Sequence, residues 1–189
     1  MIKYAWVALL LAAISLTSCD GCGPVTFTEK ERALIPDQKK GDTLEFKSNK
    51  GVTSKLYVLS KTLNEVKHKR MGSLMKGTYC NALGEIMYTD VVGFSKIVFS
   101  AQVTKSDTEP YTSGFGGAFL LNKYVPVNNT VLHPIYVIKG KAYQNVYEIV
   151  ADTTDNTAQG NVVYKVFYAQ EEGIVRYDNT KGAYWERIN

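Results

Sequence analysis

The sequence predicts a mainly β fold: a single antiparallel domain, arranged as a meander, a sandwich or a half-barrel, with one short helix near its N-terminus. Three observations predict it. Thirteen tyrosines and seven phenylalanines stand among many β-branched residues, and both kinds of side chain fit the pleated, half-buried surface of a sheet. Apolar and polar residues alternate over short runs, the period-two signature of a strand with one buried face. Turn signals containing glycine or asparagine separate those runs at the spacing of sandwiches and barrels. At 189 residues and 45% hydrophobic, the chain is long enough for one well-packed core and short for two.

The elements follow in order. Thr28-Glu29-Lys30-Glu31 fits a capping box, in which the threonine hydroxyl caps a backbone N–H and the glutamate reaches back. With Arg32-Ala33-Leu34-Ile35 it predicts one or two helical turns, ended by Pro36. Asp42 to Lys47 alternates with Leu44 and Phe46 on one face, Ser48-Asn49-Lys50-Gly51 turns, and Val52 to Leu59 completes a hairpin. Residues 61–84 show no clean period. Ile86-Met87-Tyr88 predicts a strand, and so does Lys96 to Val103, where Ile97, Phe99, Ala101 and Val103 alternate. A loop is expected over 104–117 and a short apolar strand over Ala118-Phe119-Leu120-Leu121, with Pro126 and Asn128-Asn129 as punctuation. His133 to Ile138 opens another strand. The C-terminal part has the clearest pattern: strands at Tyr143–Ala151 and Val162–Tyr168, then EEGIVRYD, a turn at Asn179–Gly182, and AYWERI.

The residues that carry chemistry are sparse. The chain has no H-E-x-x-H, no P-loop and no G-x-S-x-G elbow. Its two histidines, His68 and His133, cannot build a multi-histidine metal site, so no metal and no other cofactor is expected. His68 sits among lysines as a solvated residue; His133, before Pro134, reads as a satisfied structural one. Nothing in the sequence brings Cys80 to a histidine as a nucleophile pair. Gly114-Phe115-Gly116-Gly117 is followed by strand-like residues and lacks the helix N-terminus that a phosphate loop needs, so it reads as a loop beside a sheet. Glu171 and Glu172 are adjacent and would point to opposite faces of a strand, which is the wrong arrangement for the paired carboxylates of glycoside hydrolysis. Asp107, Glu109, Asp152 and Asp155 fall in polar loops.

Basic residues exceed acidic ones by 22 to 18 and are scattered, the densest cluster being Lys67-His68-Lys69-Arg70. A nucleic-acid partner calls for a clearer basic stripe and is not expected. The richest aromatic concentration comprises Tyr164, Phe167, Tyr168, Tyr177, Tyr184 and Trp185. Sheet core and cross-strand pairs are its plain reading. The alternative is an aromatic binding face of Tyr164, Tyr168, Tyr177, Tyr184 and Trp185 for lipid, glycan or peptide.

The first residues carry an address. Lys3 precedes an apolar run from Ala5 to Ile14, shorter than the roughly 20 residues that cross a bilayer as a helix, and small residues follow, as in a processed signal segment. Leu16-Thr17-Ser18-Cys19 resembles the lipobox of bacterial lipoproteins. The resemblance implies removal of residues 1–18, a diacylglyceryl thioether on Cys19 and a fatty acyl group such as palmitate on the new N-terminus. Two or three chains anchor stably where one is marginal. The mature chain then divides into a lipidated tether, 19–27, and a globular domain, 28–189. Asp20 implies inner-membrane retention in the enterobacterial sorting scheme; other groups do not follow that rule, and the outer membrane remains the favoured site. A thioether at Cys19 removes its sulfur from any C-x-x-C chemistry. Cys22 and Cys80 remain in an oxidising compartment, either as a disulfide or as two free thiols.

VYKVFYAQEEGIVRYDNTKGAYWERIN and TEKERALIPDQKKGDTLEFKSNKG resemble the two ends of small bacterial cell-envelope lipoproteins. That resemblance implies an envelope location and a β-rich fold, with no assigned activity. The expected function is that of a lipid-anchored cell-envelope protein, a non-enzymatic binding or structural module. Its expected partners are the membrane, through the lipid, and an envelope protein, lipid or glycan. The alternative is a half-barrel carrier or chaperone for lipid or lipoprotein, and, further off, a hydrolase of envelope polymers.

Overall fold

The computed structural model describes residues 24–66, 81–90, 98–106, 111–121, 123–151 and 162–188. Residues 1–18, expected to be a signal segment, and Cys19, Cys22, Cys80, His68 and its basic neighbours, Asp107, Glu109, Asp152 and Asp155 lie outside the described residues.

After a one-turn helix, α1 (Glu29–Arg32), the described residues form eleven strands in one antiparallel sheet. They are β1 (Thr43–Ser48), β2 (Thr53–Asn64), β3 (Asn81–Thr89), β4 (Phe99–Ser106), β5 (Thr112–Gly116), β6 (Val125–Pro126), β7 (Val131–Ile138), β8 (Lys141–Val150), β9 (Val163–Ala169), β10 (Gly173–Asn179) and β11 (Tyr184–Arg187). Their order across the sheet is β6-β5-β4-β3-β2-β1-β11-β10-β9-β8-β7. The mainly β, antiparallel half-barrel is therefore what the alternating sequence builds. No helix among the described residues is long and apolar enough to cross a membrane.

Strand number decides how the sheet ends. Every neighbouring pair is antiparallel, so with eleven strands the two edges, β6 and β7, run the same way. Sealing the barrel would make them a parallel pair, which needs a connection of about a dozen residues or more. Only a 3-10 turn, Val127–Asn129, and Thr130 separate them. The edges are held within about 18 Å by that short link, and the curled sheet keeps a seam.

The interior is filled from within. Phe46, Leu56, Ile86, Tyr88, Phe99, Phe115, Tyr168 and Ile174 are fully buried. Rings run in contact across it: Phe99 lies 5.8 Å from Phe115, and Phe115 5.2 Å from Tyr168, between centroids. The N-terminal segment plugs one end, burying Val25, Phe27, Leu34 and Ile35. Tyr168 donates to the Leu34 carbonyl at 2.8 Å, Tyr88 donates to Gln38 Oε1 at 2.8 Å, and the Gln38 amide donates to the Glu172 carbonyl at 2.7 Å. The capping box forms as its sequence requires, with both Thr28–Glu31 bonds present. Val25 also exchanges two backbone hydrogen bonds with Val66. The tether expected over 19–27 thus stops short of residue 27, because Val25 and Phe27 belong to the core.

Two expectations between residues 104 and 121 are corrected. The loop expected over 104–117 contains the end of β4 and all of β5, which pair from Thr104–Thr112 to Ser100–Gly116. Cross-strand pairing here outweighs the low strand preference of two glycines. The strand expected over Ala118–Leu121 is a 3-10 turn, Ala118–Leu120. Gly117 causes it: its φ is 109°, and a Cβ there would meet the Val98 carbonyl oxygen at 2.7 Å. The chain turns inward at that point, burying Leu120 and laying Phe119 5.0 Å from Tyr177.

A second, smaller core lies on the outer wall. Asn145 has φ 49°, and the β9–β10 register slips between Ile174 and Arg176. Such irregularities bend and twist a strand locally. The β7–β8 hairpin packs Ile138, Tyr143 and Val146 against Phe167, Ala169 and Val175, and Lys139 at its tip reaches Glu186 on β11 at 3.8 Å.

Candidate functional site

The five aromatic residues expected to share a binding face do not. Tyr168 and Tyr177 are buried in the barrel interior. Trp185 stacks on Tyr177 at 5.2 Å, and Tyr164 packs half-buried against the same core. Tyr184 lies on the outer wall, beneath the Arg176 guanidinium at 4.2 Å. Residues 184 and 185 are neighbours on one strand and so point to opposite faces. Burial pushes the Tyr168 hydroxyl well above its ordinary range; it pushes Tyr177 up to about 12, against the opposing effect of its bond to Ser54.

Among the described candidates, His133 and Glu172 are paired groups. His133 Nε2 lies 2.9 Å from Glu148 Oε2, and Lys165 donates to Glu148 Oε1 at 2.6 Å. Partial burial pushes the Glu148 carboxyl up, but the bonds from Lys165 and His133 outweigh it and hold the group below its ordinary value. Glu171 and Glu172 occupy the β9–β10 turn, where Glu172 pairs with Lys141 at 2.7 Å. Gly114 carries no phosphate-binding geometry; it makes room for the Tyr124 ring, whose Cζ would lie 2.4 Å from an added Cβ. Among the described residues no group of three His, Cys, Asp or Glu could hold a metal ion.

Among the described residues a concave feature lies at the seam, where a groove of about 690 Å³ opens between β5–β6 and β7–β8. Tyr111, Ser113 and Tyr124 line it from one side, Val127, Leu132 and Tyr147 from the other, and Thr28, Lys30 and Glu31 at the α1 end. Ser113 Oγ donates to the Tyr111 hydroxyl at 2.9 Å, and Gln170 donates to the Tyr147 hydroxyl at 2.9 Å. Burial, reinforced by the neighbouring Tyr111, pushes Tyr124 and Tyr147 above the ordinary tyrosine value. Both therefore stay neutral, able to donate as well as accept. Glu31 is committed elsewhere: it accepts from the Thr28 N–H at 2.7 Å and from Lys105 at 3.1 Å. Amphipathic rings around an apolar floor, with a few fixed polar groups, suit recognition. Among the described residues, the groove lining sets no nucleophile beside a free base.

Sequence reasoning missed this groove because Tyr111, Tyr124 and Tyr147 come from three separate segments with no common period. The one local signal was glycine at 114, which a tyrosine ten residues later needs as a bed. Compared with known protein-family models, with curated proteins and with solved structures, the chain matches none.

Proposed function

We propose that this protein is a lipid-anchored binding module of the bacterial cell envelope, held to its membrane through Cys19, with the seam groove as its recognition site. One observation carries the reading. The interior, where a carrier of this shape would hold an acyl chain, is occupied by the protein's own rings and by the N-terminal plug. Among the described residues the seam offers a tyrosine-lined concave surface for a ligand. Thr28, Lys30 and Glu31, just after the plugging residues Val25 and Phe27, line the groove.

Two measurements test it. The intact mass of protein extracted from membranes is expected to start at Cys19 with lipid attached, and Cys19→Ser is expected to move the protein to the soluble fraction. An unmodified thiol would overturn the anchor. Native mass spectrometry is expected to show no non-covalent lipid; a stoichiometric lipid would instead support the carrier.

A further inference from the structure

We infer that the free edge of β7 docks an extended segment of a partner protein, which adds to the sheet as a further strand and runs into the seam groove. The inference rests on the binding-module reading and names the chemistry of the partner. Among the described residues β7 pairs with β8 alone. Among the described residues, 131–138 make none of the backbone hydrogen bonds found outside the sheet.

The turn fixes which backbone groups face outward. Lys139 and Gly140 have φ 48° and 84°, the two positive values of a two-residue type I′ hairpin turn. Ile138 and Lys141 flank that turn as a hydrogen-bonded pair, so by alternation Tyr136 bonds to β8, while Ile135 and Val137 turn their N–H and C=O groups away from it. A row of such groups is matched by one kind of ligand, an extended polypeptide backbone.

The side chains point the same way. Ile135 is 65% exposed, Val137 61% and Leu132 49%, and the strand VLHPIYVI contains no Lys, Arg, Asp or Glu. Edge strands are ordinarily blunted by charge, by proline or by distortion; Pro134 is the one such residue here. Leu132 forms part of the groove wall, so a strand laid along β7 continues into the tyrosine-lined seam.

Two other occupants fit less well. Among the described strands, β6 cannot close the seam on β7, for the directional reason given above. A second copy adding antiparallel through β7 would send its own N-terminal end to the opposite end of the barrel. The six steps from Cys19 to Val25 reach at most about 21 Å, while a strand as long as β2, with 12 residues, spans about 40 Å. Two copies joined in that way would start their tethers at opposite ends, the arrangement that a concentration-dependent dimer would report.

The test uses the mature chain carrying Cys19→Ser, labelled with ¹⁵N. The probe is an acetylated, amidated octapeptide alternating valine and threonine between terminal lysines. Saturable shift changes are expected in residues 131–138 and in groove residues 111–113 and 124. N-methylation of the peptide's edge-facing amides, with side chains unchanged, is expected to weaken binding about tenfold, the equivalent of one or two lost hydrogen bonds. Val137→Pro removes an outward N–H and is expected to do the same; Ile135→Lys keeps the backbone and is expected to weaken binding while leaving the spectrum folded. Four results would overturn the inference: no saturable change up to about 1 mM peptide, changes located elsewhere, equal binding of the N-methylated peptide, or a concentration-dependent dimer abolished by Ile135→Lys. Lipid on Cys19 is read separately by mass, so failure of the anchor and failure of the edge are distinguishable.

Discussion

Tyr168 shows how a single hydroxyl ties two distant parts of the chain. Its ring is fully buried and its O–H satisfies the Leu34 carbonyl, so Tyr168→Phe leaves a buried acceptor without its donor. The expected loss is about 1–3 kcal/mol in urea unfolding. Tyr177→Phe is expected to cost less, because its partner, the Ser54 hydroxyl, is half-buried and able to turn to water. Glu148 makes a pH prediction on the outer wall. Its folded value lies below the ordinary 4.5 through its bonds to Lys165 and His133. Its contribution to stability is therefore complete above about pH 4.5 and is lost as pH falls through the lower folded value. Thermal unfolding across that range is expected to show a shallower acid slope for Glu148→Gln than for the wild type; parallel slopes would rule out the carboxylate as a source.

At the scale of elements, the N-terminal plug and β3 meet at Gly84. An added Cβ there would lie 2.7 Å from Val103 Cγ1 and 3.0 Å from Ile35 Cγ1, both branched core side chains with little freedom to withdraw. Gly84→Ala is expected to destabilise the fold by about 1–3 kcal/mol through overpacking, with faster amide exchange over residues 33–38 as the local sign. A change in global stability without that local sign would mean that the strain is absorbed by β4. The plug was partly legible in advance, since Thr28 and Glu31 announce α1 by side-chain chemistry three residues apart. Its burial was not legible, because a short segment of mixed polarity becomes core only where a barrel end receives it. The same limit explains residues 112–121. Glycine-rich β5 is a strand because β4 supplies its ladder, and the apolar run after it is a turn because Gly117 sits against the Val98 carbonyl.

At the scale of the molecule, Tyr88 and Tyr168 both lie in the packed interior, and burial raises both hydroxyls above the ordinary tyrosine value. A group whose folded value is raised contributes fully below its unfolded value, about 10 for tyrosine, and loses that contribution as pH rises beyond it. Unfolding followed by tyrosinate absorbance is expected to be cooperative above that pH, with the buried phenols ionising together with loss of the fold. A gradual titration of every tyrosine before unfolding would mean that solvent reaches the interior, as in a carrier with an open cavity.

The amino-acid sequence by itself determined the β class, most strands of the C-terminal meander and the capping box, because these depend on residues close together in the chain. Alternation, turn chemistry and caps are local, and each leaves a short-range signature. Only the tertiary structure decided which aromatic rings became core, where the plug enters and where the groove opens. Those outcomes depend on strand order and direction: an odd number of antiparallel strands and a four-residue link leave the last two edges unpaired, and no local pattern encodes that count.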